Sequence, residues 1–460
     1  MENSLKKKYG LLTAIAMVVG IVIGSGVFFK AESVLKATGG NMPIGIAAWL
    51  IVGFIMIVCS YTFATMAAKY EKVNGIVDYA EMTVGKKYGY YVGWFMAMIY
   101  NPTLTSVLAW VCARFTCVLL GWDITGGPCM ALTCFYLICS YALNALSPVL
   151  AGKFQVATTV IKLIPLLLMA VVGTFIGLSN GMTVQNFTNL TSNGSSVGGG
   201  LFASVVAVAF AYEGWILATS INAELKDAKK NLPRALVWGS FIVVSVYVFY
   251  YIGLAGVVPT KTLMENGQAG AKLAFQNIFG SIGGTLIFVF VIVSCLGTLN
   301  GLMLACTRGM YSLAARGSGP MPKVFSQVDP VTNMPGNSSI IGLLLCGFWL
   351  LYFYGAMLAP TPWFGPFCFD TSELPIITLY AGYIPIFIML MIKEKTLNAM
   401  QRIVMPILSV FGCIFMMLAA CLAHGMAVVY YLIIFAIIML FGIPFHPHTQ
   451  KNTQGISENE

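Results

Sequence analysis

The chain has 460 residues, of which 58% are hydrophobic and 9% charged, and its formal net charge is +9. Soluble domains carry roughly a quarter of their residues as charges, so a water-soluble surface cannot be built from so few. The positive balance is no nucleic-acid signature: the Lys and Arg lie in short loops between apolar runs, and the one basic cluster, Lys6-Lys7-Lys8, has no interleaved aromatics.

Apolar runs long enough to cross a bilayer, roughly 17–25 residues each, recur along the whole chain and predict an all-α integral membrane protein of about 12 transmembrane helices. The first five spans are predicted over Leu11–Phe29, Ile44–Ala68, Tyr90–Leu120, Met130–Leu146 and Val156–Leu178. The next five are predicted over Leu201–Ser220, Ala235–Val257, Ile282–Leu313, Ile340–Tyr354 and Pro375–Ile392. Two more follow, Val404–Leu422 and Ala427–Ile443. The first run is too long for a signal-peptide core and lacks a small-x-small cleavage site, so it reads as a span. No soluble domain fits between the spans. Residues 1–10 and 447–460 read as polar termini, and the loop Ser179–Gly200 is polar, with sequons at Asn186, Asn189 and Asn193.

With the N-terminus inside, only Lys30, Lys36, Lys261 and Lys272 of the 25 basic residues fall outside, and Arg114 and Lys162 fall within spans. That asymmetry is the positive-inside pattern and predicts both termini in the cytoplasm and a plasma-membrane location. The 12 cysteines lie mostly inside apolar runs, with no C-x-x-C pair and no Cys/His cluster. They predict neither a disulfide framework nor a metal site, and no cofactor motif occurs.

Two spans carry an interruption at similar depth. The first contains Gly20, Gly24, Ser25 and Gly26, followed by Val27 and Phe28. Each interior glycine costs about 1 kcal/mol relative to alanine, so a break is expected there. The sixth contains Phe210-Ala211-Tyr212-Glu213-Gly214-Trp215. Five spans separate the two, which would insert the second set upside down relative to the first. Paired interruptions in two such halves point to a transport site at the midplane. Residues 11–178 and 201–392 are thus expected as a 5+5 inverted repeat with discontinuous helices 1 and 6, and residues 404–443 as two added helices. Amides freed at Ser25, Gly26 and Val27 suit a carboxylate at a helix N-terminus. Carbonyls freed at Val22 and Ile23, and at Phe210 and Ala211, suit an ammonium.

At these residues the chain resembles the amino acid–polyamine–organocation superfamily. The Gly24-Ser25-Gly26-Val27-Phe28 stretch, the Phe210–Trp215 stretch, and Glu224-Leu225-Lys226-Asp227 with Asn231-Leu232-Pro233-Arg234-Ala235 carry the likeness. It is most similar to bacterial members of the L-amino acid transporter branch, among them alanine-serine-cysteine exchangers. One departure is Ala228, where the family often has proline. The resemblance implies the LeuT-like fold, with substrate held between spans one and six at Val22, Ile23, Gly24, Ser25, Gly26, Val27, Phe210, Ala211 and Gly214. It also implies Phe210 as outer gate, and Lys162 where sodium-coupled relatives hold an ion. Animal members bond a glycoprotein through a cysteine after span three. The loop Gly121–Pro128 has none, and Cys129 sits at the membrane edge, so no covalent heavy-chain partner is expected.

A charge at the bilayer centre costs roughly 2.5–3.5 kcal/mol on insertion scales and is usually functional. Lys162 is expected to donate to carbonyls near Gly20 and Ile21, with Tyr247 and Ser294 as candidate neighbours. Glu213 either carries a proton or accepts backbone N–H bonds at the break, and the second reading is adopted. Arg114 is expected to snorkel outward. Tyr100-Asn101-Pro102-Thr103 and Gly297-Thr298-Leu299-Asn300-Gly301 are expected either to border the pocket or to serve packing.

The histidines, His424, His446 and His448, lie near the ends of the last spans, and no acid–base pair lies within the membrane, which excludes an enzyme. No filter motif marks a channel. The expected function is secondary transport of small neutral L-amino acids (alanine, serine, cysteine, threonine) by sodium-independent exchange through alternating access. The alternatives are a proton-coupled symporter and a transporter of larger neutral or aromatic amino acids. Expected partners are the amino acid and the lipid bilayer.

Overall fold

The computed structural model describes residues 10–70, 75–188, 197–216 and 225–446. The expectations for the N-terminal basic cluster, the tail 447–460, Glu224, the end of the sixth span at Ser220 and the sequons at Asn189 and Asn193 fall outside them.

The described residues form helices α1 (Leu11–Val22), α2 (Gly26–Ala37), α3 (Met42–Tyr70) and α4 (Ile76–Thr83). Next come α5 (Lys86–Leu120), α6 (Gly127–Leu146) and α7 (Pro148–Ser179). Then follow α8 (Val197–Ala211), α9 (Ala228–Val257), α10 (Thr260–Asn266) and α11 (Gln268–Ala314). The last four are α12 (Gly336–Leu358), α13 (Leu374–Lys393), α14 (Met400–His424) and α15 (Met426–Phe445). Among the described residues, 10 helices are long and apolar enough to cross a membrane, and the shorter apolar stretches are Leu11–Gly20 and Gly199–Ala211. Those two short stretches lie in the first and sixth predicted spans, where the sequence expects breaks.

Proline and glycine mark the ends. Pro128, Pro148 and Pro375 stand in first turns, where an amide would have no helical partner anyway. Gly121, at φ 73°, closes α5 in the left-handed conformation that glycine adopts without a Cβ penalty. Several helices outrun the predicted spans: α5 starts at Lys86, and α11 includes a residue with non-helical geometry, Gly280 at φ 74°. The ninth span, predicted as the shortest, is a full crossing of 23 residues. Hydrophobicity marks the part of a helix that lipid can cover and says little about turns beyond it.

At Tyr100–Thr103 the helix is continuous. A π-helical turn over Met96–Tyr100 absorbs the missing proline amide of Pro102, and the helix runs on to Leu120.

Helix α9 packs along α3 and α1, α11 against α5 and α12, and α8 against α2, α3 and α14. Bare backbones carry some crossings. A Cβ at Gly256 of α9 would stand 2.9 Å from Gly177 Cα of α7, and one at Gly26 would run into the backbone of Ala211. Close approach of small residues supplies the packing that lipid does not drive.

Candidate functional site

Helix α1 ends at Val22, and Ile23 leaves the helical region at φ −67° and ψ 111° before α2 begins at Gly26. On the sixth span, α8 ends at Ala211, and Gly214 takes φ 102°, a left-handed geometry that a side chain would strain. The two breaks face each other, because Gly26 lies against Ala211. Irregular backbone at membrane depth is tolerated where it lines a cavity, and here it does. A cavity of about 220 Å³ is lined by Val22, Gly24, Ser25, Gly26, Phe210, Ala211, Glu213 and Gly214. The amide of Gly26 starts α2 and has no partner within that helix. It sits at the positive end of the helix dipole, a place suited to a carboxylate.

Ile23 and Val27 do not line this space; both are fully buried in the apolar core. The carbonyl of Phe210 accepts from the Glu213 amide at 3.3 Å, which fills part of its capacity for an ammonium.

Lys162 lines the cavity from α7 and is 2% exposed. Its ammonium donates to the carbonyl of Gly20, in the last turns of α1. Tyr247 on α9 donates to the carbonyl of Val22 at 3.2 Å. The end of α1 is therefore held from two helices at carbonyls adjoining the break. Ser294 is buried on α11 without lining the cavity; Thr298, one turn on, does line it and touches Gly24, where a Cβ would lie 2.6 Å from its Oγ1. Glu213 lies beside the Tyr100 side chain and the Gly214 amide, but its two buried carboxylate oxygens accept no hydrogen bond, so the backbone N–H bonds expected at the break are not made.

Phe210 lines the cavity from the end of α8. Its ring packs edge-on against Phe29 at 5.8 Å, and the Lys30 ammonium lies 5.3 Å from the ring. Lys30 is 3% exposed and donates to Glu373 at 2.7 Å and Ser372 at 3.1 Å, both just before α13. His424, at the end of α14, meets the other Glu373 oxygen at 2.9 Å. Beside Phe210, these rings and the ion pair form one buried layer. Arg114 pairs with Glu32 of α2 at 3.7 Å and lies over the Trp110 ring at 5.1 Å, in a pocket that it shares with Lys36, Trp122 and Glu265.

Sequence reasoning weighed Tyr100, Asn101, Thr298 and Gly301 only as members of motifs, and it missed Gln155 and Leu104, all of which line the cavity. It counted Lys30 as a loop charge and gave Glu373 no role. Gln155 lies on the face of α7 that carries Lys162, about two turns away, a spacing that could have marked it.

A family model described as amino acid permease matches residues 9–443. The chain belongs to the amino acid permease family. It is an amino acid transporter of the amino acid–polyamine–organocation superfamily, a multi-pass membrane protein and no enzyme. The permease is 30% identical to the serine/threonine exchanger SteT of Bacillus subtilis over 423 residues, 90% of this chain and 91% of that one. It is 26% identical to the human b(0,+)-type amino acid transporter 1 over 71% of this chain and 66% of that one. It is also 23% identical to the human cystine/glutamate transporter over 72% of this chain and 65% of that one. The permease spans about two thirds of the length of these human relatives.

Proposed function

We propose that the permease exchanges small neutral L-amino acids, such as alanine, serine, cysteine and threonine, across the plasma membrane by sodium-independent alternating access. The observation that carries this reading is the cavity at the facing breaks, with the α2 amide terminus on one side and the Lys162 ammonium on the Gly20 carbonyl beside it. The amides of Ser25 and Gly26, which line the cavity, receive the substrate carboxylate. Carbonyls of Val22 and Ala211 receive its ammonium, and Phe210 closes over it. Lys162 ties α7 to α1 as a fixed cation, so no metal ion is required for that tie. Likeness to a serine/threonine exchanger along nine tenths of the chain supports the substrate class and the exchange mode. A cavity of about 220 Å³ suits a small molecule.

In this reading residues 11–178 and 201–392 are inverted repeats that rock against each other, and both termini are cytoplasmic. No covalent subunit is attached through the loop after α5, where Cys129 is fully buried.

The test uses purified permease in liposomes without sodium or a pH gradient. Labelled L-alanine should enter vesicles loaded with unlabelled L-alanine and should not accumulate in empty ones. Equal entry into both would replace exchange by facilitated diffusion. Entry that requires an inward proton gradient would replace it by symport and make Glu213 the proton carrier.

A further inference from the structure

Three carboxamides run in a row from behind the cavity wall into it. Asn144 on α6 donates from Nδ2 to Asn300 Oδ1 at 2.9 Å, and Asn300 Nδ2 donates to Gln155 Oε1 at 3.0 Å. A row of carboxamides can run either way, since each end is a donor or an acceptor of nearly the same shape. Here backbone carbonyls, which only accept, fix the direction. Asn144 Nδ2 also donates to the carbonyls of Ser140 at 2.9 Å and Asn300 at 3.2 Å. Asn300 Nδ2 also donates to the carbonyl of Ala151 at 3.2 Å. Reversing either amide would set oxygen against oxygen, and with Asn144 1% and Asn300 4% exposed no bulk water relieves that. The oxygen of the last amide is therefore taken, and its nitrogen is left for the cavity that Gln155 lines. Gly301 on α11 lies beside this amide: a Cβ there would stand 3.7 Å from Gln155 Oε1 and 3.9 Å from its Nε2, in ordinary contact.

We infer that Gln155 is a specificity-determining residue of the transport site, its Nε2 donating to an oxygen on the substrate side chain, so that the permease prefers hydroxyl-bearing amino acids to aliphatic ones of equal size. Asn300 is the positioning residue that orients it, and Asn144 holds Asn300. The inference rests on the amino-acid transport reading above. A hydroxyl accepts from Nε2, whereas a methyl in the same place strands the donor in a mostly apolar space, and sites built to pair a substrate hydroxyl discriminate strongly against analogues lacking it.

The experiment follows entry of labelled serine into serine-loaded vesicles against two competitors, unlabelled serine and 2-aminobutyrate, which carries a methyl where serine has its hydroxyl. The wild type should prefer serine. Gln155→Met keeps the length, lacks the donor, and should lower that preference about tenfold, the range for losing one hydrogen bond. Asn300→Ala leaves Gln155 free to turn and should lower it about threefold. A merely structural role would depress both competitors alike and leave the ratio at its wild-type value, and that outcome overturns the inference. Where a variant transports nothing, the ratio is read from protection against heating by serine and by 2-aminobutyrate. Failure of the exchange reading looks different: wild-type vesicles show no counterflow, while serine still protects better than 2-aminobutyrate and Gln155→Met removes the difference. Equal protection of the wild type by both ligands overturns the inference whichever transport mode holds.

Discussion

Lys162 and Phe210 do different work at the same cavity, and substitution should separate them. Lys162→Met keeps most of the bulk but removes the donor to Gly20, so the end of α1 loses one of its two holds. Counterflow of alanine should fall at least tenfold while the protein still elutes as a single species, because one buried charged hydrogen bond is worth about 1.5–3 kcal/mol. Unchanged counterflow would remove Lys162 from the mechanism. Phe210→Ala deletes the ring between the cavity and the Phe29–Lys30 layer. Entry into empty vesicles should then rise relative to loaded ones, since closure no longer waits on substrate, and exchange as tight as in wild type would end the gate assignment. Lys162 was legible in sequence as a lone charge in an apolar run. Gln155 was not, because a polar residue near a helix end is ordinary until a neighbour fixes which of its atoms faces the site.

Among the elements, the discontinuous first span is the one whose geometry follows most directly from composition. Glycines at 20, 24 and 26 weaken the helix and let three neighbours approach. A Cβ at Gly20 would lie 2.6 Å from Thr159 Cγ2 and one at Gly24 equally near Thr298 Oγ1, while one at Gly26 would enter the Ala211 backbone. Gly26→Val should therefore abolish substrate binding by forcing α2 away from α8. Gly10→Ala, with open space around it, should behave as wild type in the same binding assay. Tight binding by Gly26→Val would mean that the two breaks need not touch. The π turn over Met96–Tyr100 is a milder case: Asn101-Pro102 carries a proline inside a span, and the helix runs on through it with one π turn just before.

At the level of the whole molecule, the ion-pair layer beside Phe210 joins three parts distant in sequence: Lys30 on α2, Glu373 before α13 and His424 on α14. Burial alone would raise the Glu373 carboxyl, but the Lys30 ammonium and His424 hold it down, at about 2. Its folded value lies below the unfolded one, near 4.3 for a free glutamate. The tie therefore contributes its full stability above that unfolded value and loses it as pH falls toward the folded one. The melting temperature of the wild type should drop across this acidic window, and Glu373→Gln should show a smaller drop from a lower start. Removing one partner of a buried pair costs about 3–5 kcal/mol, so the lower start should be plain near neutral pH. An identical acid profile in both proteins would exclude Glu373 as the titrating group.

The sequence by itself determined the membrane class and the places where two spans weaken, because hydrophobic run length and glycine content act locally and need no partner. Tertiary structure alone decided which polar groups meet. It paired Arg114 with Glu32, joined Lys30 to Glu373, and set the Asn144–Asn300–Gln155 row in one direction. Each of these pairs residues on different helices, and in a medium without water to hydrogen-bond, a polar group takes whatever partner the packing brings within reach.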